Sequence, residues 1–591
     1  MLRSHSRLLL AATLILSLAA CGQQSVTAPA GAAQPSGDQA VAADAYLVGF
    51  KEGSLSAQGV NAQDLSAQAA VQAQAISVAG GTLTSQWADI GAAAVRLSPE
   101  ALARLRADPS VEYVEPDLKR TAMGLRSGVS DAQPARSGLS AQGISAQATP
   151  VYTASGETTW GDAALKVPTL RASGYTGAGV AVCVGDTGID GNHPEFARKL
   201  KGFRNFVTSE TGRGDPYQLN DVSHHGTHVS GTIFAQYGSG TGASGLQAGE
   251  DANGVGGAAP GVNLYMARVL GNDGSGSSSG IINGVNWCAA QLKSQGGTES
   301  KVVISLSLGG GSVSQTEQRA YTAAYNKGAL IIAATGNDGA AVSYPAAYTN
   351  VVGVGAIDDA EARADFSNFG SQVDLVGPGV HVLSSVPLGQ GTRASASGAG
   401  VTFGDVQAAD LSGKSSFTGN VVKAGDGTGT AGANQFCGTS TRNSALSGNI
   451  ALVARGTCSF EEKVANAVAS GARAVMVYNN AAGSLGMTLT NSYAVPVVGL
   501  TQSDGQGLLA KLPATGTAAV TTADYEYFDG TSMATPHVSA AAAVVWAAKP
   551  GLTNAQLLNL LTSTARDLGA AGKDNNFGYG LVNPLKALTG Q

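Results

Sequence analysis

The sequence has little charge and lacks the features of nucleic-acid-binding or membrane-spanning proteins. Charged residues form 13% of its 591 residues and the net charge is -6, whereas globular proteins carry about 25% charged residues. No cluster of basic residues of the kind that binds nucleic acid is present, and no uncharged stretch is long enough to cross a bilayer. We therefore expect no nucleic-acid partner and a function that depends on a local site.

The sequence also lacks a zinc-peptidase motif. His224 and His228 lie four residues apart, but the glutamate that follows the first histidine in HExxH is absent. Without that general base a zinc peptidase is not expected, and His228 is predicted to be a packed or hydrogen-bonded residue.

Residues 530 to 537 read GTSMATPH and lead into a run of small residues that predicts a helix. Ser532 therefore lies near a helix start, where backbone N–H groups stabilise negative charge. This setting suits a nucleophile, because an oxyanion forms when a serine attacks a carbonyl group. A serine nucleophile also needs a base and a group that orients the base.

Two other segments supply these groups. Residues 180 to 186 form an apolar run typical of a buried parallel strand, and the run ends at Asp186. His225 follows a polar stretch and begins a predicted helix. Each residue alone has an ordinary explanation, such as a helix cap or a turn. Together they indicate an α/β protein with an Asp, His and Ser site at the carboxyl edge of its sheet.

The segments DTGID, HGTHVSGT and GTSMATPH resemble, in the same order, the motifs of the subtilases, the serine peptidases of the subtilisin type. The resemblance implies a subtilisin-like three-layer fold with a mostly parallel central sheet. It also implies a serine endopeptidase in which Ser532 attacks the substrate, His225 transfers the proton and Asp186 orients the histidine. Asn337 matches the family's side-chain donor, which binds the oxyanion together with the Ser532 N–H.

The same resemblance predicts how substrates bind. The substrate backbone should pair with two strand segments, and the residue before the scissile bond should enter a pocket of small or apolar residues. The predicted substrate-binding residues are Gly274, Ser275, Gly276, Ser307, Leu308, Gly309, Thr335, Gly336 and Ser343. We expect proteins and peptides as substrates, cut with broad specificity and a preference for large uncharged side chains. No cofactor is required.

The sequence is compatible with one ion site but does not establish it. Glu195 and Asn253 match positions where subtilases often bind calcium, and oxygen ligands of this kind suit Ca²⁺. However, glutamate replaces the more usual aspartate, and the loop that leads to Asn253 has additional residues. The alternatives are a structural calcium site and a solvated glycine-rich loop.

The N-terminal segment predicts export. Arg3 and Arg7 precede an apolar run of thirteen residues, which suits a signal peptide and is too short to span a membrane. The run ends in LAAC, which resembles a bacterial lipobox and predicts lipid attachment at Cys21. An ordinary signal peptide with a chance cysteine is the alternative. We expect a secreted or cell-surface protein that contacts the membrane through this anchor before maturation.

Composition and periodicity divide the chain into seven segments. They are a lipoprotein-type signal peptide (1–20), a flexible tether (21–44), a propeptide (45–120), a disordered linker (121–157), a first catalytic part (158–393), an insertion (394–522) and a second catalytic part (523–591). The propeptide segment resembles the ferredoxin-like subtilase propeptide, a chaperone and inhibitor of its own enzyme. The insertion resembles the protease-associated domain. A simple packing domain and a passive insertion are the respective alternatives.

Four cysteines follow Cys21, an even number that suits an oxidising compartment. Cys437 and Cys458 bracket a short polar loop of the insertion and are predicted to form a disulfide. Cys183 and Cys288 are either bonded to each other or present as two buried thiols.

Three functions are compatible with these features. The first is an exported serine endopeptidase made as an autoprocessed zymogen. The second is a processing protease with few substrates, selected through the insertion. The third is a catalytically silent binding protein, and the complete set of Asp186, His225, Asn337 and Ser532 argues against it.

Overall fold

The structure is a computed structural model of the chain. It describes residues 39–51, 64–123, 125–126, 151–152, 154–196, 198–210, 212–218, 220–238, 254–404, 406–409, 411–425, 434–481, 485–487 and 489–590. The predicted signal peptide, Cys21, Asn253 and most of the tether and linker lie outside the described residues. Within these ranges, no helix combines the length and the apolar character needed to cross a membrane.

The N-terminal unit (residues 45–116) is a four-stranded antiparallel sheet with strand order β2-β3-β1-β4 and two helices. Its elements are β1 (Ala45–Phe50), α1 (Leu65–Ala79), β2 (Thr82–Trp87), β3 (Ala92–Arg96), α2 (Pro99–Ala107) and β4 (Val111–Pro116). This βαββαβ order is that of a ferredoxin-like unit. Because side chains alternate along a strand, the sheet has two faces. Val48 packs with Ile76 of α1 on one face. On the other face, Leu47 packs with Ile282 and Ala320, which belong to the unit that contains the predicted catalytic residues and is called the catalytic unit below.

Two short strands follow the N-terminal unit, β5 (Lys119–Ala122) and β6 (Leu125–Arg126). Both pair with strands of the catalytic unit and not with the N-terminal sheet. We call residues 117–123 the cleft segment, because β5 runs between two strands of the catalytic unit.

The catalytic unit is built on a parallel seven-stranded sheet with strand order β15-β14-β13-β11-β7-β9-β8. Its first part contains α3 (Trp160–Ala164), α4 (Val167–Ala172), β7 (Ala181–Asp186), β8 (Gly202–Asn205), α5 (His225–Phe234), β9 (Asn263–Arg268), β10 (Ser275–Ser277), α6 (Ser278–Ala289), β11 (Val302–Leu306), β12 (Leu308–Gly309), α7 (Gln315–Asn326), β13 (Leu330–Ala334), β14 (Val351–Ile357), β15 (Leu375–Pro378) and β16 (Val382–Ser385). Every residue of β7, β11 and β13 is buried. Such apolar strands are typical of a parallel sheet covered by helices on both faces.

The inserted unit (residues 391–523) forms a second, mixed sheet of eight strands. Its elements are β17 (Gly391–Gly398), β18 (Val401–Thr402), β19 (Gln407–Ala408), β20 (Ser416–Lys423), β21 (Ile450–Ala454), α8 (Phe460–Ala469), β22 (Ala474–Tyr478), β23 (Val497–Leu500), α9 (Gln502–Leu509) and β24 (Ala514–Ala523). β17 pairs with β24 from Gly391 opposite Ala523 to Gly398 opposite Gly516. The two ends of the inserted unit therefore meet, and the predicted boundaries 394 and 522 fall within this strand pair.

The second part of the catalytic unit contains β25 (Tyr525–Asp529), α10 (Thr531–Ala548), α11 (Asn554–Thr564) and α12 (Pro584–Thr589). Residues 531–546 of α10 are all buried, as expected for a helix of small and apolar residues on every side. α10 packs on α5 and contacts β11, β13, β14 and β15, while α6 packs on α7. Short 3₁₀ helices span Ala88–Ile90, Pro194–Phe196, Lys293–Gln295 and Ser444–Leu446.

The structure contains two disulfides. Cys437 and Cys458, separated by 21 residues, are bonded within the inserted unit, as the sequence predicts. Cys183 of β7 is bonded to Cys288 of α6, so the first of the two alternatives for this pair holds. The second bond joins the central strand of the site to a helix that covers the sheet.

Candidate active site

Asp186 and His225 form a buried hydrogen-bonded pair. Asp186 is the last residue of β7, and His225 is the first residue of α5. The Asp186 Oδ1 atom lies 2.7 Å from His225 Nδ1 and also accepts a hydrogen bond from the Thr187 N–H. Because the carboxylate only accepts, the proton is assigned to Nδ1, which leaves Nε2 of the neutral imidazole as a proton acceptor.

Asp221 holds these two elements together. Its carboxylate accepts hydrogen bonds from the Thr227 N–H and hydroxyl in the first turn of α5, at 2.8 and 2.6 Å. It also accepts from the Thr187 hydroxyl at 2.8 Å, and the Thr187 oxygen in turn accepts from Gly226 N–H. A carboxylate at a helix N-terminus satisfies N–H groups that have no partner inside the helix. Asp221 is not among the residues predicted from the sequence, although an acid just before a predicted helix start was a usable signal.

The Ser532 hydroxyl is held by Ser307. Pro536 lies four residues after Ser532 in α10 and has no N–H, so the helix supplies no donor to the Ser532 carbonyl. The Ser307 hydroxyl donates to this carbonyl at 2.8 Å, and the Ser532 hydroxyl donates to the Ser307 carbonyl at 2.9 Å. His225 Nε2 has no hydrogen bond to any described residue. The structure therefore joins Asp186 to His225 and turns the Ser532 hydroxyl toward Ser307.

The amide of Asn337 points into the cleft. Its Oδ1 atom accepts hydrogen bonds from the Thr531 N–H and hydroxyl at 2.9 and 2.8 Å. Because the Thr531 backbone N–H can only donate, the amide orientation is fixed and Nδ2 becomes the group that faces the cleft. The Asn337 Nδ2 donates to the Met123 carbonyl at 2.7 Å. Thr531 is a positioning residue that the sequence analysis did not identify.

The carbonyl oxygen of Met123 accepts two hydrogen bonds from the predicted oxyanion donors. One comes from Asn337 Nδ2 at 2.7 Å, and the other from the Ser532 N–H at 3.2 Å. Two converging N–H donors are the arrangement that stabilises a carbonyl oxygen as it gains negative charge. The carbonyl of Met123 therefore lies at the site, and Gly124, the next residue in the sequence, lies outside the described residues.

Strand pairing aligns the cleft segment with the site. β5 pairs antiparallel with β10 on one side and with β12 on the other. The Ala122 N–H donates to the Gly274 carbonyl at 2.8 Å, and the Met123 N–H donates to the Ser307 carbonyl at 3.1 Å. The predicted substrate-binding residues Gly274, Ser275, Gly276, Ser307, Leu308 and Gly309 all belong to the strand segments that flank β5. On the other side of Gly124, β6 pairs with β25.

The remaining predicted pocket residues cluster around Asn368. The Asn368 side chain donates to the Thr335 carbonyl at 3.1 Å and to the Ser343 hydroxyl at 3.2 Å. Gly336 between them has φ of +110°, a conformation that residues with a Cβ rarely adopt. Its N–H donates to Thr531 at 3.1 Å, which links this cluster to the Asn337 loop.

His228 has a structural role. Its Nε2 lies 3.0 and 3.1 Å from the carbonyl oxygens of Val382 and Glu526, and its ring stacks on Phe528. Burial, with a contribution from the neighbouring His225, lowers the pKa of His228 to about 3. The imidazole is therefore neutral at physiological pH, in keeping with the sequence-based interpretation.

The described residues do not show the predicted calcium site. Glu195 Oε1 accepts hydrogen bonds from the Val255 N–H at 3.0 Å and the Tyr525 hydroxyl at 2.7 Å. In the part of the chain that the structure describes, no group of three or more His, Cys, Asp or Glu side chains could hold a metal ion. Asn253, the other predicted ligand, lies outside that part.

Comparison with known proteins assigns the chain to a family. A profile of the Subtilase family matches residues 177–454, and a PA domain profile matches residues 417–508. Subtilisin NAT from Bacillus subtilis subsp. natto is 33% identical over 351 residues, which are 58% of this chain and 74% of that protein. The chain belongs to the subtilase family.

Further relatives agree with this assignment. The alkaline protease of Shouchella clausii is 34% identical to this subtilase over 347 residues, 58% of this chain and 75% of the relative. The structure of the subtilisin-like protease Apa1 from the Antarctic psychrotroph Pseudoalteromonas sp. AS-11 is similar, with a TM-score of 0.54, 31% identity and coverage of 73% of this chain and 96% of that chain. Fervidolysin from Fervidobacterium pennivorans supports the fold alone, with a TM-score of 0.53, 21% identity and coverage of 94% and 62%.

This subtilase is therefore a serine endopeptidase with a subtilisin-like α/β fold and a PA domain. Subtilisin-type peptidases carry out their reaction with side chains and backbone N–H groups and need no cofactor. The PA domain match lies within the inserted unit (residues 391–523).

Proposed function

We propose that this subtilase is an exported zymogen that cuts its own Met123–Gly124 bond and then hydrolyses proteins after large uncharged residues. The observation that carries the proposal is the pair of hydrogen bonds that Met123 O accepts from Asn337 and the Ser532 N–H. A peptide carbonyl bound in this way is the one that a serine at the same helix start would attack.

The proposed reaction begins with a rotation of the Ser532 side chain. The hydroxyl leaves the Ser307 carbonyl and turns toward His225 Nε2, which removes its proton as the oxygen attacks the Met123 carbonyl carbon. Asp186 keeps the imidazole in the required tautomer and stabilises the imidazolium. His225 then returns the proton to the Gly124 nitrogen, the peptide bond breaks, and Met123 remains as an acyl ester on Ser532. Water, activated by His225, hydrolyses this ester and restores the serine.

The preference for a large uncharged residue before the cut is supported by the environment of Met123. Met123 is buried, with only 8% of its surface exposed. A Cβ atom built on Gly309 would lie 2.4 Å from the Met123 methyl carbon, so the thioether fills space that only glycine leaves open. No charged partner is needed for such a side chain, which agrees with the predicted pocket of small and apolar residues.

The chaperone and inhibitor role of the N-terminal unit is supported by contacts that Glu115 of this unit and Asp117 of the adjoining cleft segment make with two helix starts. The Glu115 carboxylate accepts from the N–H groups of Gln315 and Thr316 at the start of α7. The Asp117 carboxylate accepts from the Ser279 N–H at the start of α6. Carboxylates at these positions satisfy N–H groups without an intrahelical partner and favour the helix dipole. We propose that the unit helps α6 and α7 form and then blocks the cleft until it is cut.

Export as a lipoprotein precursor to the cell surface or medium is part of the proposal. The support is the N-terminal pattern that ends at Cys21, together with two disulfides that suit an oxidising compartment. A cut after Met123 would leave the lipid anchor on the N-terminal fragment and release the enzyme. Calcium at Glu195 is not part of the proposal.

A second candidate is a processing protease that recognises substrates through the inserted unit. The observation in its favour is position. The inserted unit ends at Ala523, directly before β25, and β25 pairs with the chain on the far side of the Met123–Gly124 bond. A narrow set of cleaved proteins in a secretome comparison would favour this candidate over a digestive role.

The proposed function is tested by following maturation of the full chain. We expect the wild-type precursor to yield, at early times, an N-terminal fragment ending at Met123 and an enzyme that a fluorophosphonate labels on Ser532. A Ser532→Ala variant should stay uncut, while Ser539→Ala, a change further along the same helix, should mature normally. Intact mass and N-terminal sequencing measure both. Cutting of purified Ser532→Ala at this bond, or first cutting elsewhere in wild type, would contradict the proposal.

A further inference from the structure

The side chain of Arg120 enters a closed subsite. Arg120 lies in β5 and is 0% exposed, whereas its neighbours Lys119 and Thr121 are exposed. Because successive side chains of a strand point to opposite faces, the pairing of β5 with β10 and β12 directs Arg120 into the catalytic unit. Counted back from the Met123–Gly124 bond, Arg120 is the fourth residue before the cut.

Glu317 is the partner of Arg120 inside this subsite. Arg120 Nε donates to Glu317 Oε1 at 3.0 Å, and a terminal nitrogen donates to Oε2 at 2.7 Å. The same nitrogen donates to the Ser312 carbonyl at 2.8 Å. Both side chains are buried, with exposed fractions of 0% and 1%. The two parallel bonds match the planar fork of a guanidinium, a geometry that lysine cannot reproduce.

The catalytic unit itself holds the Glu317 carboxylate in place. Ser314 and Glu317 have the spacing of a capping box, in which the glutamate would turn back to the Ser314 N–H. Instead, the Ser314 N–H donates to the Tyr348 hydroxyl at 2.7 Å, and this hydroxyl donates to Glu317 at 2.9 Å. Ser278 donates to the other carboxylate oxygen. These donors remain when the N-terminal unit leaves, so the carboxylate stays directed at the cleft.

We propose that Glu317 forms the base of a subsite that selects arginine four residues before the scissile bond of protein substrates. The inference rests on the proposed function, because it takes the cleft segment as bound in the manner of a substrate. A substrate bound in this way places its carbonyl against Asn337 and Ser532 and pairs its backbone with β10 and β12. Its fourth residue before the scissile bond then occupies the position of Arg120. An uncharged residue there leaves the buried carboxylate without a counter-charge, which is strongly unfavourable.

The test compares peptides on the matured wild-type enzyme. The reference is acetyl-Lys-Arg-Thr-Ala-Met-p-nitroanilide, which copies residues 119–123, and the other peptides carry Lys, Met or Ala in place of its Arg. We expect kcat/KM for the Arg peptide to exceed that for the Met peptide by at least about thirtyfold, the usual size of the loss when one partner of a buried charge pair is removed. The Lys peptide should fall between them.

A variant separates the carboxylate from other features of the cleft. Glu317→Gln should lose most of the preference for Arg over Met, because the Arg peptide loses its buried counter-charge and the Met peptide no longer leaves a carboxylate unpaired. Glu361→Gln is the matched control, since Glu361 also pairs with an arginine, Arg566, outside the cleft. It should keep the wild-type preference. If Glu317→Gln fails to mature, the peptide series on wild-type enzyme still decides the question.

The outcomes distinguish this inference from the proposed function. Equal kcat/KM for the Arg and Met peptides, or an unchanged preference in Glu317→Gln, would overturn the arginine subsite and leave the peptidase intact. Absence of cleavage of every peptide together with absence of fluorophosphonate labelling at Ser532 would overturn the proposed function itself.

Discussion

The described residues form two sheets that contain parallel strands, and the strand ends of these sheets carry different residues. In the catalytic unit, β7 ends at Asp186, which is hydrogen-bonded to His225 from another segment. In the inserted unit, β21 and β22 are parallel neighbours. The residues that follow them, Arg455 and Asn479, form a hydrogen bond between their side chains. Apolar clusters pack around both sheets. The same architecture therefore carries the proposed acid, base and nucleophile in one unit and a hydrogen-bonded polar pair in the other.

This difference separates fold from chemistry. A covered parallel sheet follows from apolar strands and helices of suitable length, and it is stable with or without a reactive site. The site of the catalytic unit needs Asp186, His225 and Ser532 from three distant segments, each held by its own network. If this comparison is right, changes in the catalytic unit alter turnover, whereas changes in the inserted unit alter stability and leave the chemistry of small substrates unchanged.

The largest effect is expected from the nucleophile. Ser532→Ala should reduce kcat for a chromogenic peptide by about a million-fold, the magnitude established for the corresponding change in subtilisin. The variant lacks the oxygen that forms the acyl ester, while the two oxyanion donors remain. Steady-state hydrolysis and fluorophosphonate labelling measure the loss. Substantial turnover by this variant would mean that the catalytic unit works by different chemistry.

The second effect is expected from the side-chain oxyanion donor. Asn337→Ala should lower kcat by about a hundred- to a thousand-fold with little change in KM, because the hydrogen bond strengthens as charge develops on the carbonyl oxygen. This range too is known from subtilisin. Asn576→Ala, at an exposed position of the same unit, is the control and should behave as wild type. A rise in KM alone would instead assign Asn337 to ground-state binding.

The inserted unit supplies the contrasting case. Replacing Cys437 and Cys458 with alanine should destabilise this unit by about 3 kcal/mol, because the bond closes a loop of 21 residues. Peptide hydrolysis should stay within about twofold of wild type. Hydrogen exchange in a Ser532→Ala background, which prevents self-digestion, measures the stability. The matched change replaces Cys183 and Cys288 with alanine. Because Cys183 belongs to β7, the strand that ends at Asp186, this double variant should lower activity as well. If both double variants lowered activity equally, the two units would not be separable.

The smallest effect is a difference in pH response. Burial lowers the pKa of His228 to about 3 and of His537 to about 4, whereas an unfolded chain protonates histidine near pH 6.5. The folded state therefore binds fewer protons between about pH 4 and 6.5, and the free energy of unfolding should fall as the pH decreases through this window. Asp162, whose pKa burial raises to about 7, has the opposite slope and offsets one histidine.

Urea unfolding of the Ser532→Ala protein at pH 7 and pH 5 measures this dependence. His537→Gln should make the slope shallower by up to about 1.4 kcal/mol per pH unit, since one titrating group is removed. The inserted unit has no histidine and serves as an internal control. An equal decrease in the free energy of unfolding of both units at pH 5 would show that these imidazoles do not determine the acid response.

Much of the catalytic unit was predictable from local patterns. The apolar run before Asp186 is a buried parallel strand, and the small residues after Ser532 form a helix buried on every side. These predictions succeeded because burial on both faces leaves a signal in consecutive residues. The family motifs placed Asp186 and His225 in separate segments, and the structure joins them at 2.7 Å.

Other parts of the site left weak signals or misleading ones. Ser314 and Glu317 have capping-box spacing, yet Tyr348 takes the place of the glutamate at the helix start. The Ser532 carbonyl accepts from the Ser307 hydroxyl because Pro536 removes its helix donor, and the Ser532 hydroxyl donates to the Ser307 carbonyl only because the two segments meet. The resemblance left calcium and a solvated loop as alternatives at Glu195, and the donors to its Oε1 atom come from residues distant in the chain.

The sequence by itself determined the family, the parallel sheet and the candidate acid, base and nucleophile, because motifs and apolar periodicity are properties of consecutive residues. Only the tertiary structure decided which carbonyl lies at the predicted oxyanion donors and which side chain meets Glu317. Met123 lies in a segment without a distinctive pattern, and Arg120 is 197 residues from its partner. Such contacts depend on the packing of whole units against each other, and no local propensity encodes them.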